Sequence, residues 1–307
     1  MEWHSLYEHC TLCPRQCYVN RLAGKMGFCG QSGELTVSRA ALHLWEEPCI
    51  TGKGGSGTVF FNGCSLGCIF CQNYEISHSD TEKKIIHGKK ITKERLAEIF
   101  LELQEKGAAN INLVTPAQFL PHILWAIPAA KSAGLSIPVV YNTSGYENVS
   151  TLQRLEGLVD IYLPDFKYIS SELAGRYSMA ADYPEKAMKA LAEMVRQTGP
   201  AVFDGDKTMK KGVIVRHLVL PGQKEEAKRI IGYLYETYGE RIWISILNQY
   251  TPTPQTAEIR ELKRRLTTYE YRQVIEYALS IGVTQGFQQE GSAAAESFIP
   301  SFHGEGV

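Results

Sequence analysis

"GCSLGCIFCQN", residues 63–73, places Cys64, Cys68 and Cys71 within eight positions, in the spacing Cys-x3-Cys-x2-Cys. The stretch follows "TVFF" (58–61), a short apolar run bounded by glycines that predicts a strand. Three thiols on a loop after a strand are one short of a closed zinc site, which takes four protein ligands. An iron–sulfur cubane takes one cysteine per iron, so three cysteines leave one iron open to another ligand. The position adds to this, because chemistry in parallel α/β folds sits at the C-terminal ends of the strands. On these residues alone the alternative is a zinc site that borrows His78 or Cys49 as its fourth ligand.

Beyond residue 57 strand-like and helix-like stretches alternate. "NINLV" (110–114), "IPVVY" (137–141), "DIYLPDF" (160–166), "GVIVRHLVL" (212–220), "RIWISIL" (241–247) and "VTQGF" (283–287) predict strands. "TKERLAEIFLELQEKG" (92–107) has apolar residues at helical spacing, with Thr92 as N-cap and Gly107 past the end. Helices are also expected near 118–133, 148–156, 183–199, 223–239 and 267–280, the third with Asp182 as cap. This alternation implies a parallel sheet with helical crossovers. About six strand–helix units fit, which suits either an open doubly wound sheet or a partial (βα)6 barrel.

The chain has 307 residues, 32 basic and 33 acidic, a balance that gives no reason to expect a nucleic-acid partner. No apolar run reaches membrane-spanning length, and "MEWHSLYEHC" lacks the layout of a secretory signal. A cytoplasmic protein is the expectation, and there clustered cysteines read as metal ligands before disulfides. All eight cysteines lie in the first 71 residues. Cys10, Cys13, Cys17 and Cys29 form a group that closes either a tetrahedral zinc site or a fully ligated iron–sulfur cluster. The expected organisation is a Cys-rich metal-binding segment over 1–54, an α/β body over 55–287 and a tail over 288–307 that packs on it through Phe298 and Phe302. The Gly-rich "TGKGGSG" (51–57) reads as a hinge between the first two.

The Cys-x3-Cys-x2-Cys loop, with Phe70 before its last cysteine, resembles the radical S-adenosylmethionine (SAM) enzymes, most nearly their pyruvate formate-lyase activating enzyme branch. The resemblance implies a partial (βα)6 barrel with a Cys-rich N-terminal extension. It implies a [4Fe–4S] cluster on Cys64, Cys68 and Cys71 whose open iron binds SAM, and cleavage of SAM to a 5′-deoxyadenosyl radical. It also implies a flavodoxin or ferredoxin as electron donor and a glycyl-radical enzyme, another peptide or a small metabolite as substrate. "VDIYLPDFKY" matches a segment that puts Asp165 and Lys167 near the SAM carboxylate or a monovalent cation. "VVYNTSGY" nominates Asn142, Thr143 and Ser144, "VRHLVLPG" Arg216 and His217, and "ISILNQYTP" Asn248 and Gln249. The family's Gly-Gly-Glu segment is replaced here by "LVTPAQF", which leaves Thr115 and Pro116 where the glycines would be. A non-catalytic iron–sulfur electron carrier and a zinc-stabilised binding module are the competing readings.

Some expectations come from periodicity. Arg216 and His217 are adjacent on one strand and must point to opposite faces, with Arg216 assigned to the interior. Asp165 and Lys167 share a face. His43, Glu46 and Glu47 read either as a metal or substrate site or, in preference, as surface or packing residues, and Cys49 as a small buried apolar one.

Overall fold

A computed structural model of the chain describes residues 3–78, 88–289 and 302–307. The elements begin with β1 (Thr36–His43), α1 (Pro48–Thr51), β2 (Ser56–Phe61), α2 (Tyr74–Ser77), β3 (Lys89–Lys90) and α3 (Lys93–Glu105). Next come β4 (Ile111–Val114), α4 (Leu120–Ser132), β5 (Val139–Thr143), α5 (Val149–Gln153) and β6 (Ile161–Pro164). Then follow α6 (Ser171–Ser178), α7 (Tyr183–Thr198), β7 (Val202–Phe203), β8 (Met209–Leu218), α8 (Lys224–Tyr238), β9 (Trp243–Leu247), α9 (Thr268–Ser280) and β10 (Gly286–Gln288).

The result is an α/β fold on a mostly parallel sheet. Its strands lie in the order β10-β9-β8-β6-β5-β4-β2-β1-β3, with β7 antiparallel to β8. From β2 to β10 every neighbouring pair on this path is parallel. The C-terminal ends of those strands therefore face the same way and their loops share one edge. Both faces of the sheet are covered. Tyr141, Tyr162, Val213 and Val215 join the large core, which includes the apolar faces of α3, α4, α7 and α8. The alternate residues Val140, Ile161, Leu163 and Ile214 form a second cluster with Cys49, Ile50 and Met209. A period of two separates these sets and decides which polar side chains beyond the strand ends face inward.

The helix ends follow ordinary capping chemistry. Thr92 accepts the Arg95 N–H at the start of α3. Asp182 precedes α7 but does not cap it with its side chain, and its carboxylate accepts the Tyr146 hydroxyl at 2.7 Å instead.

Two features differ from the sequence expectation. Residues 36–43, within the N-terminal stretch, add an antiparallel strand to the sheet beside β2. The Gly-rich 51–57 stretch is not a hinge. A β-carbon on Gly54 would run into the Gly107 carbonyl, and one on Gly57 would come within 2.9 Å of the Asn110 carbonyl. Its glycines permit close backbone packing. Phe302 is buried, with its ring 5.3 Å from that of Phe60, while Phe298 lies outside the described residues.

Among the described residues no helix is long and apolar enough to cross a membrane.

Candidate active site

The loops at the shared strand edge surround a cavity of about 490 Å³, in the range of small-molecule sites. β2 ends at Phe61, and the chain turns at once into the cysteine loop. Cys64, Cys68, Phe70 and Cys71 all line this cavity. Each sulfur has its own donor. Cys64 Sγ takes the Leu66 N–H at 3.4 Å, Cys68 Sγ the Ser178 hydroxyl at 2.9 Å and Cys71 Sγ the Ser77 hydroxyl at 3.3 Å. Burial raises all three thiol pKa values, that of Cys68 to about 11, while the Lys167 cation opposes the rise at each. An arrangement of three sulfurs, each with a donor and all facing one cation, suits bound thiolates.

A chain of charge runs inward from Lys167. Its Nζ donates to Asp165 at 2.7 Å. Burial works against the Lys167 ammonium, but the Asp165 carboxylate and Cys68 outweigh it and raise its pKa. The Arg216 guanidinium donates to Asp165 at 3.0 Å, to Asn142 at 2.6 Å and to Glu46 at 3.2 Å. Burial would raise Asp165, yet Lys167 and Arg216 together hold its carboxyl below the usual carboxylate range. Glu46 also accepts from Asn112 at 3.0 Å. Burial raises the Glu46 and Glu47 carboxyls, with Arg216 opposing it in both.

The cavity brings together Thr115, Asn142, Thr143, Ser144, Asp165, Lys167, Arg216 and Gln249 with the cysteine loop. It does not bring in His217 or Asn248. His217 shares its parity on β8 with Val213 and Val215 and points to the helix-covered face. There its Nδ1 is 2.8 Å from the Phe166 carbonyl, and burial lowers its pKa to about 4. Asn248 is held aside by Gln289, whose side-chain oxygen accepts its N–H at 2.9 Å. His43, Glu46 and Glu47 line the cavity, contrary to the surface or packing role expected of them. The signal in "LHLWEEPC" was two adjacent carboxylates running into α1, whose Pro48 opens the helix and whose Cys49 and Ile50 are buried.

Thr115 has φ = 55°, a left-handed value that is an outlier for a β-branched residue. Its N–H reaches the Asn142 carbonyl at 2.8 Å, and its own carbonyl accepts the Gln118 amide at 2.8 Å. The backbone thus keeps a glycine-like conformation where the side chain is Thr.

Among the described residues, no three His, Cys, Asp or Glu side chains converge as a group for a single metal ion. Cys49 sits in the separate apolar cluster and His78 stacks on Tyr74, so neither completes a zinc site with the loop cysteines. A cubane places each cysteine on a different iron. The three hydrogen-bonded sulfurs beside an open cavity therefore fit a [4Fe–4S] cluster with a further ligand.

Comparison with known proteins bears on the family and the fold. The chain is 29% identical over 276 residues to the uncharacterized protein MJ0674 of Methanocaldococcus jannaschii, across 89% of this chain and 75% of that one. Among solved structures, Streptococcus suis SuiB bound to the precursor peptide SuiA superposes with a TM-score of 0.51 at 13% identity, over 77% of this chain and 49% of SuiB. SuiB bound to S-adenosylmethionine gives the same TM-score and identity over 75% and 49%. The chain thus spans about half the length of SuiB, and the likeness is one of fold. The Radical SAM superfamily model matches residues 58–234, from within β2 through the cysteine loop and the Asp165–Arg216 network into α8, and on that match the chain belongs to the radical SAM superfamily.

Proposed function

We propose that this chain binds a [4Fe–4S] cluster and SAM in the cavity and removes a hydrogen atom from a substrate. When bound, cluster and SAM together supply a 5′-deoxyadenosyl radical by one-electron cleavage of the sulfonium. Cys64, Cys68 and Cys71 hold the cluster. Lys167, Asp165, Arg216 and Asn142 orient the charged methionyl end of SAM, with Asp165 fixing both cations. Thr143, Ser144 and Gln249 supply neutral polar contacts, and Phe60, Phe61 and Phe70 keep water from the reacting centre. The observation that carries this reading is the set of three sulfurs, each with a hydrogen-bond donor, facing Lys167 across the cavity.

A curled sheet, a partial barrel, is part of the proposal. Its support is that residues of β1 and β2 and residues of β10, far apart in strand order, line one cavity. An electron carrier gains nothing from such a cavity. For the substrate, the resemblance to activating enzymes favours a glycine residue of a partner protein, with a flavodoxin or ferredoxin as reductant. The test is anaerobic reduction with SAM and candidate substrates carrying deuterium. Deuterium in 5′-deoxyadenosine from a partner glycine supports the reading. Label arriving only from other peptides or small molecules redirects the substrate assignment.

A further inference from the structure

A second charge pattern lies outside this cavity. Arg21 is buried, at 1% exposure. Its Nη1 donates to the Gln118 carbonyl at 2.7 Å and lies 3.9 Å from Cys10 Sγ. Its Nε and Nη2 donate to the Ser32 carbonyl at 3.2 and 2.7 Å, and its guanidinium sits 4.4 Å from the centre of the Tyr7 ring. Among the described residues these polar partners are neutral, and no carboxylate pairs with Arg21. A buried cation without a counter-anion is costly.

Cys10 and Cys29 lie beside Arg21, and Cys13 and Cys17 lie near Cys29. Cys29 is within electrostatic reach of Arg21, Cys10 and Cys17, and Cys13 is within reach of Cys29 and Cys10. Each sulfur has a donor. Cys10 has Arg21, Cys13 the Arg15 backbone N–H, Cys17 the Phe28 N–H at 3.2 Å and Cys29 the Gln31 backbone N–H. Gln16 and Tyr18, on either side of Cys17, take left-handed φ values of 43° and 56°. Such values in residues with side chains persist only where the surroundings impose them.

Zinc or a single iron would need sulfurs about 3.8 Å apart, from bonds of about 2.3 Å at the tetrahedral angle. Among the described residues no three His, Cys, Asp or Glu side chains form a group for a single metal ion. A cubane takes its four cysteines on four separate irons. We propose that Cys10, Cys13, Cys17 and Cys29 hold a second, fully cysteine-ligated [4Fe–4S] cluster, with Arg21 as its counter-charge, that exchanges single electrons with the Cys64/Cys68/Cys71 centre.

Two contacts bring the centres together. Arg15, between Cys13 and Cys17, donates to the Ser65 carbonyl at 2.8 Å, inside the other cysteine loop. The Cys29 carbonyl packs against the Cα of Gly63, the neighbour of Cys64. In the exchange one electron enters from a one-electron donor protein of the flavin or iron–sulfur class and leaves to the other centre. No bond forms or breaks and no proton moves. The exchange rests on the function proposed above, whereas the existence of the second cluster does not.

The test uses full-length protein purified anaerobically. Wild type should carry about eight irons and no zinc. The variant Cys64→Ser/Cys68→Ser/Cys71→Ser should keep about four irons, with a reduced-state EPR signal that SAM leaves unchanged. Cys10→Ser/Cys13→Ser should keep the other four, with a signal that SAM perturbs. About one zinc with four irons in wild type overturns the proposal, and so does a metal-free triple variant with four alkylatable N-terminal cysteines. Iron lost only from the Cys10/Cys13 variant, with no SAM-sensitive signal in any form, would instead remove the active-site reading and leave this one standing. For Arg21, Arg21→Gln should lower the midpoint potential of the SAM-insensitive cluster and Arg21→Lys should restore it. An unchanged potential in a folded Arg21→Gln variant, or an Arg21→Lys variant as low as the Arg21→Gln one, excludes the counter-charge role.

Discussion

Arg15 Nε donates to the carbonyl of Ser65 at 2.8 Å, so one hydrogen bond ties the Cys10–Cys17 loop to the Cys64–Cys71 loop. The same guanidinium reaches the carbonyls of Met179 and Ser178 at 2.5 and 3.3 Å, and the Ser178 hydroxyl donates to Cys68 Sγ at 2.9 Å. Arg15→Ala should therefore act on both loops. Hydrogen bonds from a charged donor are worth roughly 1.5–3 kcal/mol each, and partial exposure discounts them, so a loss of about 2–4 kcal/mol is expected. Thermal unfolding and the rate at which a chelator strips iron should both show it. Unchanged values in both would mean that the two loops are organised independently.

Asp165 lies between two cations, and removing it should harm ligand binding more than folding. Asp165→Ala should weaken SAM binding about ten- to hundred-fold, the equivalent of about 1.5–3 kcal/mol. Equilibrium binding and melting temperature, measured on the same preparation, separate the two effects. An affinity equal to wild type would reduce Asp165 to a structural ion-pair partner of Lys167 and Arg216.

Lys167 is the cation that opposes the rise in thiol pKa at Cys64, Cys68 and Cys71. Its charge also favours extra negative charge on whatever the three sulfurs hold. Lys167→Met should lower the midpoint potential of the SAM-responsive cluster, as read by EPR-monitored titration. A potential that stays in place would put the ammonium outside the cluster's field.

His217 gives a pH signature distinct from the metal chemistry. Its folded pKa of about 4 lies below the ordinary 6.5, with burial as the main cause. Between those values the unfolded chain binds a proton that the folded chain refuses, so stability falls as pH drops from about 6.5 to about 4. The ceiling is about 3 kcal/mol, from about 1.4 kcal/mol per pH unit. His217→Asn should flatten that part of the profile, seen as urea midpoints at pH 7 and pH 5. Parallel profiles for variant and wild type would place the acid-sensitive group elsewhere.

The parallel sheet was legible because most of its strands are short apolar runs that alternate with helices of clear period. Strand β1 was not. "TVSRAALH" is polar at several positions and half-buried at its end, and it pairs antiparallel in a way that strand–helix alternation does not suggest. The cysteine loop and the Asp165, Lys167 and Arg216 side chains were legible through spacing and strand parity. Parity also sent His217 to the opposite face. Glu46 and Glu47 were passed over for a surface or packing role because adjacent carboxylates ordinarily lie in solvent, and only the turn into α1 carries Glu46 to Arg216 and both into the cavity lining. Thr115 shows a further limit, since a left-handed backbone at a β-branched residue has no signature in composition or periodicity.

The most direct measurement of the central claim is the fate of SAM added to the anaerobically reduced, iron-loaded protein, followed by chromatography. The account predicts 5′-deoxyadenosine and methionine in equal amounts, and neither product from Cys64→Ala/Cys68→Ala/Cys71→Ala. SAM left intact by the reduced wild type, or cleaved just as fast by the triple variant, would contradict it.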